Sequence, residues 1–131
     1  MLWVEAFTLL AISHLVGDYV LQTESQALNK RGGLGADPVK RRALFVHVGT
    51  YGLALVPATV WIASEADPAL AVAGLALILV THLIQDDGRL LHRYMRTVKG
   101  VEPAERPELV GMVDQSFHVV VLLFAALVAT A

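Results

Sequence analysis

The stretch Pro68-Ala-Leu-Ala-Val-Ala-Gly-Leu-Ala-Leu-Ile-Leu-Val-Thr81 carries no charge and no polar face. A helix that is apolar on every side belongs in lipid or in the middle of a much larger protein. A chain of 131 residues is too small for the second option, so the stretch points to a membrane span. The composition agrees. Hydrophobic residues make up 56% of the chain and charged residues 17%. Soluble domains hold about 45–50% and about 25%. Disorder, which needs few apolar residues and high charge, is excluded as the main state. The length allows one domain at most, and a single membrane domain over 1–131 is expected.

Outward from this stretch, the apolar residues group into four runs, about 2–22, 43–63, 68–86 and 110–131. At about 1.5 Å per residue, each can cross a hydrocarbon core of about 30 Å as a helix. The expected fold is all-α: an integral membrane bundle of four transmembrane helices, with a short amphipathic surface helix between helices three and four. The first run carries Glu5, lacks a basic leader and ends in Asp18-Tyr-Val-Leu-Gln22 in place of a small-residue cleavage site. It is therefore expected to stay as helix one. Pro57 should kink the second span. Trp3 and Trp61, near the outer span ends, fit an interfacial belt.

The ten Lys and Arg residues are divided between two loops. Lys30, Arg31, Lys40, Arg41 and Arg42 fall in loop 23–42; Arg89, Arg93, Arg96, Lys99 and Arg106 fall in loop 87–109. The only charges in the turn at 64–67 are acidic, Glu65 and Asp67. The positive-inside rule puts both basic loops in the cytoplasm and both termini outside. The expected location is the inner (cytoplasmic) membrane of a bacterium. Within the second loop, Leu90, Leu91, Tyr94, Met95 and Val98 recur at helical spacing, with Arg89, Arg93, Arg96 and Lys99 between them. This basic amphipathic helix reads either as an anchor on anionic headgroups or as a phosphate-binding collar over a site. His92 within it is expected to be solvated. A net charge of −2 gives no case for nucleic-acid binding.

Ionisable residues nevertheless occur inside the runs. His14, Asp18 and Gln22 are spaced four and four. His47 stands in the second run. His82 and Asp86 are again spaced four, and so are Asp114 and His118, with Gln115 beside them. A four-residue spacing puts side chains on one helix face. Such residues are costly in a membrane and normally face the bundle interior. Topology and span limits together put all of them within about 15 Å of the cytoplasmic boundary. The chain has no cysteine, so a metal here must be held by His and carboxylate. His14, Asp18, His47, His82, Asp86, Asp114 and His118 form the candidate ligand set for a divalent Zn, Mn or Fe ion. They would suffice for two such ions, a clamp suited to phosphoryl chemistry. Asp18, Asp86 and Asp114 are the candidate catalytic carboxylates. Gln22, Gln115 and Arg89 are candidate substrate contacts or supports for the ligands.

The order His14-x3-Asp18-x3-Gln22, a basic residue in loop one, His47, His82-x3-Asp86 and Asp114-Gln115-x2-His118 resembles a known pattern. It is similar to the small bacterial and phage membrane proteins grouped as the domain-of-unknown-function 3307 family, with motifs H-x3-D-F-x-L-Q, a lone His, H-x3-D and D-Q-x2-H. Tyr19 stands where that pattern has Phe, and Arg89 where a Lys is expected. The resemblance spans nearly the whole chain and implies a multi-pass inner-membrane protein without supplying an activity. More loosely, the arrangement resembles membrane-bound metal-dependent hydrolases with His and Asp on several helices.

Three functions are open at this point. The first is a metal-dependent hydrolase acting on a lipid-like ester or phosphoester that enters from the inner leaflet. The second is a non-catalytic accessory subunit, as a homo-oligomer or in a larger membrane complex, with the polar layer as interhelical glue. The third is a small cation or proton transporter. The expected partners are the lipid bilayer and a lipid-like substrate.

Overall fold

The computed structural model describes residues 1–131. It is all-α. Helix α1 spans Trp3–Leu15 and continues as a π-helical turn over Val16–Val20. Then come α2 (Glu24–Asn29), α3 (Pro38–Glu65), α4 (Pro68–Asp87), α5 (Arg89–Thr97), a 3₁₀ turn (Pro103–Glu105) and α6 (Pro107–Ala129).

Two Asp-Pro pairs set the starts of the long central helices. The Asp37 carboxylate accepts from the N–H groups of Val39 and Lys40, and Asp67 does the same for Ala69 and Leu70. Each satisfies free donors of a first turn, and the proline behind it needs no donor there. Thr23 and Gln26 cap α2 reciprocally. Gly88, at φ 74°, ends α4 in the left-handed conformation that glycine adopts without penalty. The chain restarts at once as α5.

Three helices are long and apolar enough to cross a membrane: Pro38–Glu65, Pro68–Asp87 and Pro107–Ala129. The expected first span, 2–22, is corrected. Its α-helical part has 13 residues, which cover about 20 Å of a core of about 30 Å, and the remainder is the π turn. The second span starts at 38, not 43, because Asp37-Pro38 is a start signal that the basic cluster Lys40-Arg41-Arg42 does not override. The second helix is also continuous through Pro57. The expected surface helix is present as α5. Only part of its apolar set turns inward, however. Leu91 and Met95 pack on Val110 of α6, while Leu90 and Val98 stay exposed.

The long helices form a ring in which α1 and α4 each pack against both α3 and α6. The start of α1 lies beside the end of α3, where the Met1 amino group reaches the Glu65 carbonyl at 3.5 Å. At this end the core is Ala6, Leu10, Leu55, Ile62, Ala71, Ala125, Ala126 and Ala129. Only 29 of the 131 residues are buried, and large apolar side chains such as Leu53, Val60, Val72, Val80 and Phe124 face outward. A surface of this kind suits lipid better than water.

Candidate metal centre

The opposite end of the ring is polar inside. His14, Asp18, His47, His82, Asp86 and His118 are all buried there, each 5% exposed or less. The π turn carries Asp18 into this interior, and it does so beside Gly17. A Cβ on Gly17 would stand 2.5 Å from the Tyr51 ring, so only glycine lets the turn approach α3 this closely.

Four side chains converge on one point. Nε2 of His47 lies 3.1 Å from Oδ1 of Asp18, 2.8 Å from Oδ2 of Asp86 and 3.1 Å from Nε2 of His82. Nε2 of His82 lies 3.4 Å from Oδ1 of Asp18 and 3.1 Å from Oδ2 of Asp86. These are five of the six edges of a tetrahedron. A point at the centre of such edges lies about 2 Å from each corner, the distance zinc keeps from imidazole nitrogen and carboxylate oxygen. The chemistry of the set fits as well as its shape. Two carboxylate oxygens and two ring nitrogens face one another. A divalent cation at the centre satisfies all four.

A second group of side chains holds these four in place. Oε1 of Gln115 can only accept, so Nε2 of His14, 3.0 Å away, is the donor there. Nδ1 of His14 then accepts from the Tyr51 hydroxyl at 3.0 Å. The Gln115 amide donates onward to Oδ2 of Asp18 at 3.1 Å. With both ring nitrogens engaged, His14 stands beside the tetrahedral set and orients Asp18 through Gln115. The Tyr51 ring stacks on His82, with centroids 3.7 Å apart and planes 6° apart, and fixes that imidazole. Lys30 donates to Oδ2 of Asp86 at 2.9 Å and to Oε1 of Gln22 at 2.6 Å. Lys30 is drawn in because its loop is stapled to the end of α4. The Gly32 amide donates to the Asp87 carbonyl, and the Leu34 amide to the Asp87 carboxylate.

His118 and Asp114 lie on the far side of Asp86. Asp86, Asp114 and His118 each offer a ligand atom within 4.8 Å of the others. Asp86 and Asp114 also line a cavity of about 390 Å³ at the polar end, with Lys30, Arg31, His92 and Arg96 on its walls. Arg96 is paired with Glu102, whereas the Arg31 side chain lies across Gly88 and makes no ion pair. His92, expected in solvent, is half-buried on this wall. Burial, with Arg31 and Arg96 nearby, holds its imidazole below the ordinary histidine pKa. Arg89 points elsewhere: it is exposed and engages Asp87 at 2.6 Å. Of the cations on the cavity wall, Arg31 is the one without a carboxylate partner, and Arg89 is not among them.

Tyr51, Lys30 and Arg31 are the site residues that the sequence did not single out. Tyr51 had a usable signal, since it lies four residues after His47 on the same helix face. In the sequence Lys30 is one of five loop charges, and only the loop staple on Asp87 brings it to Asp86.

The chain matches the family described as "Protein of unknown function (DUF3307)" over residues 6–131, and it belongs to that family. No curated protein and no solved structure matches it.

Proposed function

We propose that this member of a family of unknown function is a multi-pass membrane protein and a metal-dependent hydrolase. Its His/Asp centre holds a divalent ion, and its substrate is a lipid-like ester or phosphoester reached from the cytoplasmic side. The observation that carries this reading is the convergence of Asp18 Oδ1, His47 Nε2, His82 Nε2 and Asp86 Oδ2, next to a basic cavity that Asp86 also lines.

The outward apolar surface supports insertion in a membrane. Beside the three long helices, α1 with its π extension also turns Ile12, Leu15 and Val16 outward. Every Lys and Arg of loops 23–42 and 87–109 belongs to the polar end, which makes that end cytoplasmic and leaves both termini outside. An inner membrane of a bacterium is the setting this orientation fits.

A bound divalent ion lowers the pKa of a coordinated water and polarises a phosphoryl or acyl oxygen. Hydrolysis needs only water as co-reactant. The water oxygen bonds to phosphorus or to the acyl carbon, the bond to the lipid alcohol breaks, and the departing oxygen takes the proton. Arg31, free of a carboxylate partner, is placed to hold an anionic group in the cavity. Asp18 and Asp86 serve as ligands. Gln115 and Gln22 act through Asp18 and Lys30.

Transport is the less supported reading. The outer half of the ring buries only one polar side chain, Thr59, and its hydroxyl is spent on the Leu55 carbonyl. That half offers no ligands for a cation or carriers for a proton.

The test is elemental analysis of the full chain purified in detergent, with hydrolysis assays on mixed micelles of phospholipids. The expected result is bound Zn, Mn or Fe and metal-dependent release of product, both lost in His82→Ala and Asp18→Ala. Folded protein that takes up no metal when offered Zn²⁺ or Mn²⁺ overturns the proposal.

A further inference from the structure

Asp86 has two carboxylate oxygens, and the tetrahedral set uses only Oδ2. Oδ1 is buried without a hydrogen-bond partner, and so is Nε2 of His118. The two atoms face each other at 3.6 Å, beyond hydrogen-bond range. The tautomer of His118 is fixed by its other nitrogen. Nδ1 lies 2.8 Å from the Asp114 backbone carbonyl, which can only accept, so Nδ1 carries a proton and, in the neutral ring, Nε2 presents a lone pair. An imidazole held this way is the usual state of a metal-bound histidine. Two buried, unpartnered acceptors aimed at each other are costly unless something positive lies between them.

Asp114 completes the group. Its side chain is 23% exposed, against 1% for Asp86 and 3% for His118, and it lines the cavity. We propose that Asp86 Oδ1, Asp114 and His118 Nε2 form a second divalent-cation site, bridged to the first through the Asp86 carboxylate. The first site has four protein ligands and is closed. The second has three, with its remaining positions turned to the cavity. Closed sites are structural, and sites with an open position bind water or substrate. An inner ion with four protein ligands would fix the helices, and the hydrolysis proposed above would use an outer ion, whose open positions face the cavity. Two carboxylates, one imidazole and open positions suit Mn²⁺, Fe²⁺ or Zn²⁺. A carboxylate bridge gives the spacing of about 3.5–4 Å seen in two-metal phosphoryl-transfer sites. An anionic oxygen ligand, such as a phosphate, would bind there beside Arg31.

This proposal rests on the reading that the tetrahedral set binds metal, and the test separates the two. The full chain in detergent is stripped with chelator and titrated with Mn²⁺ alone. Bound metal is counted, and the ions are observed by electron paramagnetic resonance. Wild type should bind two ions per chain, with a spin-coupled signal. Asp114→Asn, a nearly isosteric change on the cavity wall, should bind one ion with an uncoupled signal, and His118→Gln should behave likewise. One ion in wild type, unchanged in Asp114→Asn, overturns the second site and leaves the first standing. Two ions in both wild type and Asp114→Asn, with the coupling unchanged, also overturn it. No ion in folded wild type removes the reading on which the proposal rests, and the proposal with it.

Discussion

At the apolar end of the ring, the helices meet through Ala6, Leu10, Leu55, Ile62, Ala71, Ala125 and Ala129. At the polar end, the same four helices meet through His14, Asp18, His47, His82, Asp86 and His118. The apolar contacts are non-directional, and a change in one is felt mainly as lost packing. The polar contacts are directional and linked, since Asp86 alone touches His47, His82, Lys30 and the neighbourhood of His118. One end holds the ring together by fit, and the other gathers His and Asp side chains that could hold a metal ion. A change at one end should therefore show in stability, and a change at the other in metal binding.

The sharpest test of that contrast is Asp86→Ala. It removes the oxygen of the tetrahedral set and the unpartnered oxygen facing His118, so metal content should fall to background. Elemental analysis of the purified variant decides it; retention of metal at the wild-type level would break the contrast. Leu55→Ala, at the other end, should cost about 2–5 kcal/mol of stability from packing loss and leave the metal content of the folded fraction unchanged. Reversible unfolding in mixed micelles, scored beside metal content, measures both.

Gly17→Ala should come next. The added Cβ meets the Tyr51 ring, which stacks on His82 and bonds to His14. We expect a loss of metal affinity of about 10–100-fold, the size typical of disturbed outer contacts, measured by competition with a chelating dye. Gln115→Leu removes the donor to Oδ2 of Asp18 and should weaken metal binding by about 10-fold in the same assay. The smallest effect should come from Arg89→Ala. Its guanidinium is exposed and faces Asp87 away from the cavity, so metal affinity and hydrolysis should both match wild type, whereas Arg31→Ala should raise the KM for an anionic substrate.

Much of the site could be read from residue spacing. His82 and Asp86 lie one turn apart on a helix with no other polar face, and any helix there must turn them inward. The all-α class followed from the same runs, because a segment such as 68–81 is apolar at every position and lacks the alternation of a barrel strand, which leaves the helix as the way to satisfy its backbone in lipid. The first element was read less well. Its apolar run has the length of a span, but the run does not reveal that the backbone widens into a π turn at Val16–Val20. Spacing also made His14 equal to His47 as a ligand. The structure separates them, since both nitrogens of His14 are engaged by Tyr51 and Gln115. In the same way Arg89 and Arg31 were equivalent loop charges until the fold put one on Asp87 and the other on the cavity wall.

What the sequence determined by itself is periodic or compositional: the apolar helices, the single basic end, and the rule that any metal must rest on His and carboxylate. Those properties belong to one helix or one loop at a time. Only the tertiary structure decided which ring nitrogens and carboxylate oxygens meet, that Lys30 and Tyr51 join them, and that Asp86 faces two groups of ligands. The physical reason is that a ligand set is a matter of a few tenths of an ångström between atoms on different helices. Helix rotation, the π turn and the close pass at Gly17 fix those distances, and no single segment encodes them.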